Sequence, residues 1–357
     1  MSANTVKYAI VGTGMMGREH IANIDAIDGA EVVAVADPHP ESLRLGQAAA
    51  GLPSSRCFDH DSDLVSFGDA DVYVVASPNH THADVMKRVL ATNAHVLVEK
   101  PLGTTVDACD EIVAAAQGRA GMVWMGMEYR FKPAITDLIR EIRSGATGDV
   151  KMVAIREHRF PFLDKVDNWN RFRRNTGGTL VEKCCHFFDL MRLITAAEPV
   201  RVMASGSQSV NHLDESYDGE MPDIIDNAYV IVEFDSGARA SLDLCMFAEA
   251  SRNEQELSVV GPMGKVEAFV PESIVRVGRR SSGEVREFDA DESRIDHRGM
   301  HEGSTYIQHL ELLNAIRTGA QPEVTLEDGR LSVAMGVAGQ LSIAEARPVM
   351  MSEVLTS

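Results

Sequence analysis

Tyr8-Ala9-Ile10-Val11-Gly12-Thr13-Gly14-Met15-Met16-Gly17 is the stretch whose reading decides the fold. Four apolar residues of strand type run into three glycines spaced G-x-G-x-x-G. Ile21, Ile24 and Ile27 then recur every three residues, as one face of a helix does. Asp28-Gly29 ends that helix, and Val32 to Ala36 reads as a second strand closed by Asp37-Pro38. Strand, glycine loop, helix, strand and acid is the order of a dinucleotide-binding unit. Gly12 permits the tight turn, Gly14 lets backbone approach a pyrophosphate, and Gly17 lets helix pack close to strand. The N–H groups of Met15 and Met16 open the helix toward the phosphates. Asp37 falls where a carboxylate accepts hydrogen bonds from a ribose 2′-hydroxyl. It would repel a 2′-phosphate, and no arginine immediately follows it, so the spacing favours NAD over NADP.

The alternation continues outward. Val72 to Ala76 reads as a buried strand followed by Ser77-Pro78-Asn79-His80-Thr81-His82. Residues 83–90 are helical in pattern. His95 to Val98 reads as a strand, then come Glu99-Lys100-Pro101. Residues 106–116 are helical, and Met122 to Met127 is another strand. Strands alternating with helices make an α/β doubly wound parallel sheet, a Rossmann fold. Ligands of such a sheet sit beyond the carboxyl ends of its strands. Ser77, Asn79, His82, Glu99 and Lys100 are therefore the cofactor-side candidates, together with Gly12, Gly14, Met15, Met16, Gly17 and Asp37. Taken singly, His80 and His82 are ordinary solvated loop histidines, and Glu99-Lys100 is an ordinary ion pair.

Length and composition bound the rest. The chain has 357 residues, room for two domains, and 45% apolar residues, enough for a sizeable core. A net charge of -19 argues against nucleic-acid and anionic-membrane partners. The five cysteines include no Cys-x-x-Cys pair, which fits a reduced, cytoplasmic protein. Met1 to Lys7 is polar, so no signal peptide is expected, and no apolar run reaches membrane-spanning length.

From Lys151 the pattern changes. Residues 151–160, 201–210, 228–234, 238–247 and 257–269 read as strands, and Asp235-Ser236-Gly237 as a hairpin turn. Long helices are expected only over 306–317 and 330–346. This is an α+β pattern with an open, mostly antiparallel sheet. One face of such a sheet would be left to pack against a second copy of the chain. Gly177 to Met191 is the chemically informative stretch. A double glycine leads into a helix that carries Glu182, His186 and Asp189 at i, i+4 and i+7, hence on one stripe. Histidine moves protons near neutral pH. Glu182 could bond substrate or orient the ring, and Asp189 could fix the tautomer or brace the helix. A satisfied buried histidine is the plain alternative for His186. No metal is expected, because Cys184 and Cys185 are adjacent and point in different directions. His297, Arg298 and His301 form a polar loop that could reach a polar substrate.

Gly12-Thr13-Gly14-Met15-Met16-Gly17, Ser77-Pro78-Asn79, Glu99-Lys100-Pro101, Met127 to Pro133, Gly177 to Glu182 with His186 and Asp189, and Pro322-Glu323-Val324 with Glu327-Asp328-Gly329 together resemble the Gfo/Idh/MocA family of glucose–fructose oxidoreductases and inositol dehydrogenases. The resemblance implies a Rossmann domain over 1–127 and a substrate-binding, oligomerising α+β domain over 128–357. It implies Lys100 and His186 as the catalytic pair with Glu182 beside them. Trp169 and Arg171 would help close the site, so that Lys100, Trp169, Arg171, Glu182 and His186 meet the substrate. The expected activity is NAD-dependent oxidation of a secondary alcohol on a polyol, an inositol or a sugar, by a homodimer or homotetramer. An NAD-dependent glycosidase and a non-catalytic NAD sensor are the alternatives. Glu182, where the family more often has Asp, and Lys183-Cys184-Cys185, where it has smaller or more neutral residues, depart from its pattern.

Overall fold

The computed structural model describes residues 5–355. Met1 to Asn4, the start of the polar N-terminal stretch, lie outside the described residues. The first sheet is built from β1 (Val6–Val11), β2 (Ala30–Ala36), β3 (Cys57–Phe58), β4 (Val72–Val75), β5 (His95–Glu99) and β6 (Val123–Gly126). All its pairings are parallel, in the order β3-β2-β1-β4-β5-β6. The winding direction reverses between β1 and β4, which opens a crevice at their carboxyl ends. Helices α1 (Met15–Asp25), α2 (Pro40–Ala50), α3 (Asp61–Phe67), α4 (His82–Leu90) and α5 (Val106–Ala116) are the crossovers. Local chemistry sets their ends. The Thr105 side chain accepts from the Ala108 N–H at the start of α5, and Gly51 closes α2 in the left-handed region. Because β4 is buried on both faces, it is a continuous apolar run, Val72-Tyr73-Val74-Val75, and β5 carries Val96-Leu97-Val98 at its centre.

The second sheet contains nine strands: β7 (Met152–His158), β8 (Pro199–Ser207), β9 (Asn227–Phe234), β10 (Arg239–Cys245), β11 (Gln255–Val260), β12 (Gly264–Val270), β13 (Ile274–Arg279), β14 (Val285–Asp289) and β15 (Val349–Met350). Their order is β14-β13-β12-β11-β7-β10-β9-β8-β15. Only the β7–β10 pair is parallel; the others are antiparallel. Side chains alternate cleanly. Val153, Ile155 and Glu157 of β7 face inward, and Met152, Ala154, Arg156 and His158 face out. Residues 257–269, expected as one strand, fold as the β11–β12 hairpin. Gly261-Pro262-Met263 makes the turn, and the Gly261 N–H donates to the Gly264 carbonyl. β13 and β14 extend the sheet beyond the expected strands.

α6 (Pro133–Arg143) was also not anticipated from periodicity. Its proline sits in the first turn, where no N–H is needed, and Ile135, Leu138 and Ile139 supply the buried stripe. α7 (Arg173–Thr176), α8 (Thr179–Glu182) and α9 (Cys185–Thr195) follow, then α10 (Ser304–Thr318) and α11 (Leu326–Glu345). The helix expected from Gly178 onward is thus broken between Glu182 and Cys185. The Cys184 N–H reaches back five residues to the Thr179 carbonyl, which widens the turn there.

The chain forms two compact units. One comprises the residues up to Glu128 with Arg294–Arg330; the other comprises Tyr129–Ser293 with the residues from Leu331 onward. This membership differs from a single cut at 127/128, because 294–330 returns to the first unit. There α10 packs on α1, the Met125 N–H donates to the Val324 carbonyl, and Gly329 approaches Met125 too closely for a Cβ. Among the described residues, no helix is long and apolar enough to cross a membrane.

Candidate active site

In the first unit, the glycine loop is shaped as a phosphate cradle. Gly12 has φ +90, and a Cβ there would lie 2.6 Å from the Ser77 nitrogen. A Cβ at Gly17 would lie 1.9 Å from the Gly12 carbonyl oxygen, so helix and strand meet only across glycine. Nothing lies within 4 Å of a Cβ built on Gly14, the residue that caps α1. Open space therefore stands over the first-turn N–H groups, Met15 and Met16 included. Asp37 follows β2. Its carboxylate accepts from the Thr13 N–H at 2.7 Å and the His39 N–H at 2.8 Å, which ties the acid to the loop. After β4, Ser77 is half-buried. Asn79 is 7% exposed, and its amide nitrogen has no partner in the structure. A glycine cradle with open space at Gly14, a tethered carboxylate and a buried amide donor without a partner fit a dinucleotide.

Two cofactor-side candidates point elsewhere. His82 is buried, its Nδ1 2.8 Å from the Pro101 carbonyl and its Nε2 3.0 Å from the Ser77 carbonyl. Burial lowers its pKa against the pull of those carbonyls. It is an internal brace between two strand-end loops, neither a solvated histidine nor placed to touch a cofactor. Glu99 is 4% exposed and turns under the sheet. Its Oε1 accepts from His20 Nε2 at 3.0 Å, and its Oε2 from the Lys100 N–H at 3.3 Å. Burial raises the Glu99 carboxyl, but His20 and Lys100 outweigh it and hold it below the usual range. His20 Nδ1 in turn lies 2.8 Å from His309 Nε2. With Glu99 ionised, His20 Nε2 donates to it, and a single proton joins the two imidazoles between His20 Nδ1 and His309 Nε2. Lys100 follows directly, half-buried, ahead of the cis peptide to Pro101. The loop of His297, Arg298 and His301 belongs to this same unit. It is tied to α1 by the Met300 N–H donating to Glu19 at 2.9 Å.

In the second unit, Glu182, His186 and Asp189 are all buried. Asp189 receives a bidentate pair from Arg130, Nε to Oδ2 at 2.6 Å and Nη2 to Oδ1 at 2.5 Å. Of its two expected roles, bracing the helix is the one this geometry provides. The His186 ring stacks on Tyr129, with centroids 4.0 Å apart and planes 6° from parallel. The Tyr129 hydroxyl accepts from Lys183 Nζ at 2.6 Å, and Lys183 pairs with Glu157 at 2.8 Å. The double glycine serves packing: a Cβ on Gly178 would lie 1.7 Å from Gln340 Oε1, and Gln340 donates to the Gly177 carbonyl. Arg171 corrects its expected role. It is 1% exposed, and its guanidinium binds Glu215 at 2.9 Å and Asp164 at 2.6 Å, so it clamps its own loop. Burial works to raise Glu215, yet His212, Tyr217 and Arg171 bring its carboxyl down to about 2. Trp169 is half-buried, its carbonyl taken by Asn175. Among the described residues, no group of three or more His, Cys, Asp or Glu side chains could hold a metal ion.

Two family models match the chain. One, described as the oxidoreductase family NAD-binding Rossmann fold, covers residues 6–127; the other, the same family's C-terminal alpha/beta domain, covers 139–351. The chain belongs to the Gfo/Idh/MocA oxidoreductase family. It is 26% identical over 357 residues to myo-inositol 2-dehydrogenase of Thermotoga maritima, covering 98% of this chain and 100% of that one. It is 30% identical over 280 residues to inositol 2-dehydrogenase 1 of Saccharopolyspora erythraea, covering 77% of each. A levoglucosan dehydrogenase solved with NADH and levoglucosan shares the fold, with a TM-score of 0.85, 18% identity, and coverage of 97% and 99%.

This family member is therefore an oxidoreductase with an NAD-binding Rossmann domain. Sequence reasoning missed His20, His309, Tyr129, Lys132 and Glu157 as site-supporting residues. Glu157 alone left a signal, a carboxylate at an inward position of an alternating strand. Burial, with the His20 ring beside it, holds His309 well below its ordinary 6.5, so the folded ring is neutral. The unfolded chain takes up that proton below 6.5, so this stability is present above that pH and is lost as pH falls. His309→Leu is expected to remove a slope of up to about 1.4 kcal/mol per pH unit between about pH 6.5 and about pH 5. Urea unfolding across that range checks it; an unchanged slope contradicts the assignment.

Proposed function

We propose that this protein oxidises a secondary alcohol of a polyol, an inositol or a related sugar, with NAD as cofactor. The observation that carries the reading is His186, buried, held flat against Tyr129 and four residues after Glu182, in a chain whose named relatives include inositol 2-dehydrogenases. A bound nicotinamide supplies the hydride acceptor. His186 takes the hydroxyl proton as general base. Lys100 hydrogen-bonds the same oxygen and stabilises the negative charge that grows on it. Glu182 holds a neighbouring hydroxyl or steers the imidazole. Gly12, Gly14, Gly17, Met15 and Met16 hold the pyrophosphate, Asp37 accepts from the adenosine ribose, and Ser77 and Asn79 face the cofactor. Trp169 lies at the substrate end. The cysteine spacing, with no Cys-x-x-Cys pair, supports a reducing, cytoplasmic setting.

The outward face of the nine-stranded sheet supports a homo-oligomer, a dimer or tetramer. Tyr229 (69% exposed), Met152 (61%) and Ile231 (43%) sit among cross-strand ion pairs such as Arg201–Glu233 at 2.6 Å. Large apolar side chains grouped on a flat ladder are the composition of an interface core with a charged rim.

A panel of cyclitols, aldoses and uronic acids with NAD, followed at the NADH absorbance, tests the activity; no turnover of any polyol sinks it. With the best substrate, His186→Ala and Lys100→Ala are each expected to lower kcat by about 10²–10⁴-fold. NADH affinity should stay within a few-fold; wild-type rates in either variant remove that residue's role. Light scattering should give a dimer or tetramer mass that falls in Tyr229→Lys/Ile231→Lys; a wild-type monomer contradicts the interface.

A further inference from the structure

Beneath His186 lies a buried polar layer that the proton transfer does not itself use. Tyr129 forms its roof. One face of the phenol carries the imidazole at 4.0 Å, while Lys132 Nζ and Lys183 Nζ lie 4.4 and 4.8 Å from the ring centroid. Lys183 donates to the Tyr129 hydroxyl at 2.6 Å and pairs with Glu157 at 2.8 Å. Gln255 donates to Glu157 at 2.8 Å and accepts from Lys132 at 3.0 Å. Every member is at least 95% buried, and Glu157 and Gln255 are fully so. Arg159 reaches the same carboxylate at 3.6 Å. Cys184, next to Lys183, adds no negative charge, because burial pushes its thiol well above the ordinary range.

Taking a lysine and a glutamate this deep is costly, and a well-packed apolar pair serves packing as well or better. What the ionic pair supplies is a fixed field. Its cationic end is on Tyr129, and its anionic end is on the inward face of β7. Within this unit, the charges around the His186 segment include Glu182 four residues before it, Lys132, the bidentate Arg130–Asp189 pair, and Arg192 near the end of the same helix. A cation held on the phenol disfavours a second proton on the imidazole stacked against it. We propose that Lys183, acting through Tyr129, is a positioning residue that keeps His186 a neutral proton acceptor, with Glu157 as the counter-charge that limits the effect. The proposal rests on the reading of His186 as the general base and explains why a lysine stands directly after Glu182.

Nitrogen NMR of ¹⁵N-histidine-labelled full-length protein tests it, with the His186 signal assigned by its loss in His186→Gln. The two charges predict opposite signs. Lys183 Nζ lies no more than about 9 Å from the imidazole, so Lys183→Met should raise the His186 titration midpoint by about one pH unit. Glu157→Gln should lower it by about half a unit, and the double variant should lie between the two, about half a unit above the wild type. An imidazole that stays neutral to about pH 5 in the wild type and titrates in Lys183→Met is the same result. If Lys183→Met does not fold, Lys183→Gln and Glu157→Gln carry the test. Identical titrations in the variants, or shifts of one sign for both charges, overturn the proposal, since a packing role has no reason to reverse. The ring's charge is read without substrate, so failure here and failure of the polyol assay are told apart.

Discussion

A carboxylate taken out of water must be met by a donor, and each residue assigned chemistry here stands beside one that is. Glu99 lies buried just before Lys100 and is met by His20, with His309 behind it. Glu157, linked to Tyr129 through Lys183, is met by that lysine and by Gln255. Asp189, one turn beyond His186, is met by both arms of Arg130. Breaking such a pair by removing one partner costs about 3–5 kcal/mol, so each is a rigid point in its unit. A lysine at a strand end and a histidine on a short helix are mobile side chains in general. Here each follows from a backbone fixed by a satisfied buried charge.

The first sheet is legible because its signals are local. Gly12 and Gly17 are required where backbone meets backbone, and the alternating strands and helices leave the parallel order little freedom. The second unit is less so. Its open sheet shows the period of two only where one face is wet, and the Gly261-Pro262 turn sits inside a run of strand-forming residues. α6 begins at a proline, which hides a helix from a reading by periodicity alone. The return of 294–330 to the first unit depends on contacts such as His20–His309, which no local pattern encodes.

The site shows the same division. Position was legible: Ser77, Asn79 and Lys100 do follow strand ends, Glu99 is the last residue of its strand, and Glu182 and His186 do follow the double glycine. Direction was not. Glu99 and His82 sit at ligand-side ends and turn inward, because their partners lie 79 and 19 residues away in the chain. Arg171 looks free in sequence and is fully engaged by Glu215, 44 residues on. The broken turn at Lys183-Cys184 matters as well. It separates the stripe of Glu182, His186 and Asp189 from ideal helical spacing, and it coincides with the lysine that reaches Tyr129.

The central claim is that a hydride leaves a polyol carbon for the cofactor while the protein handles only the proton. Mass spectrometry of the cofactor after reaction with myo-inositol, or the best polyol found, deuterated at its carbinol carbons reads this directly. The account predicts one deuterium in each NADH formed and one equivalent of ketone beside it. NADH that carries no deuterium, or deuterium that returns to the product with no net NADH, would contradict it.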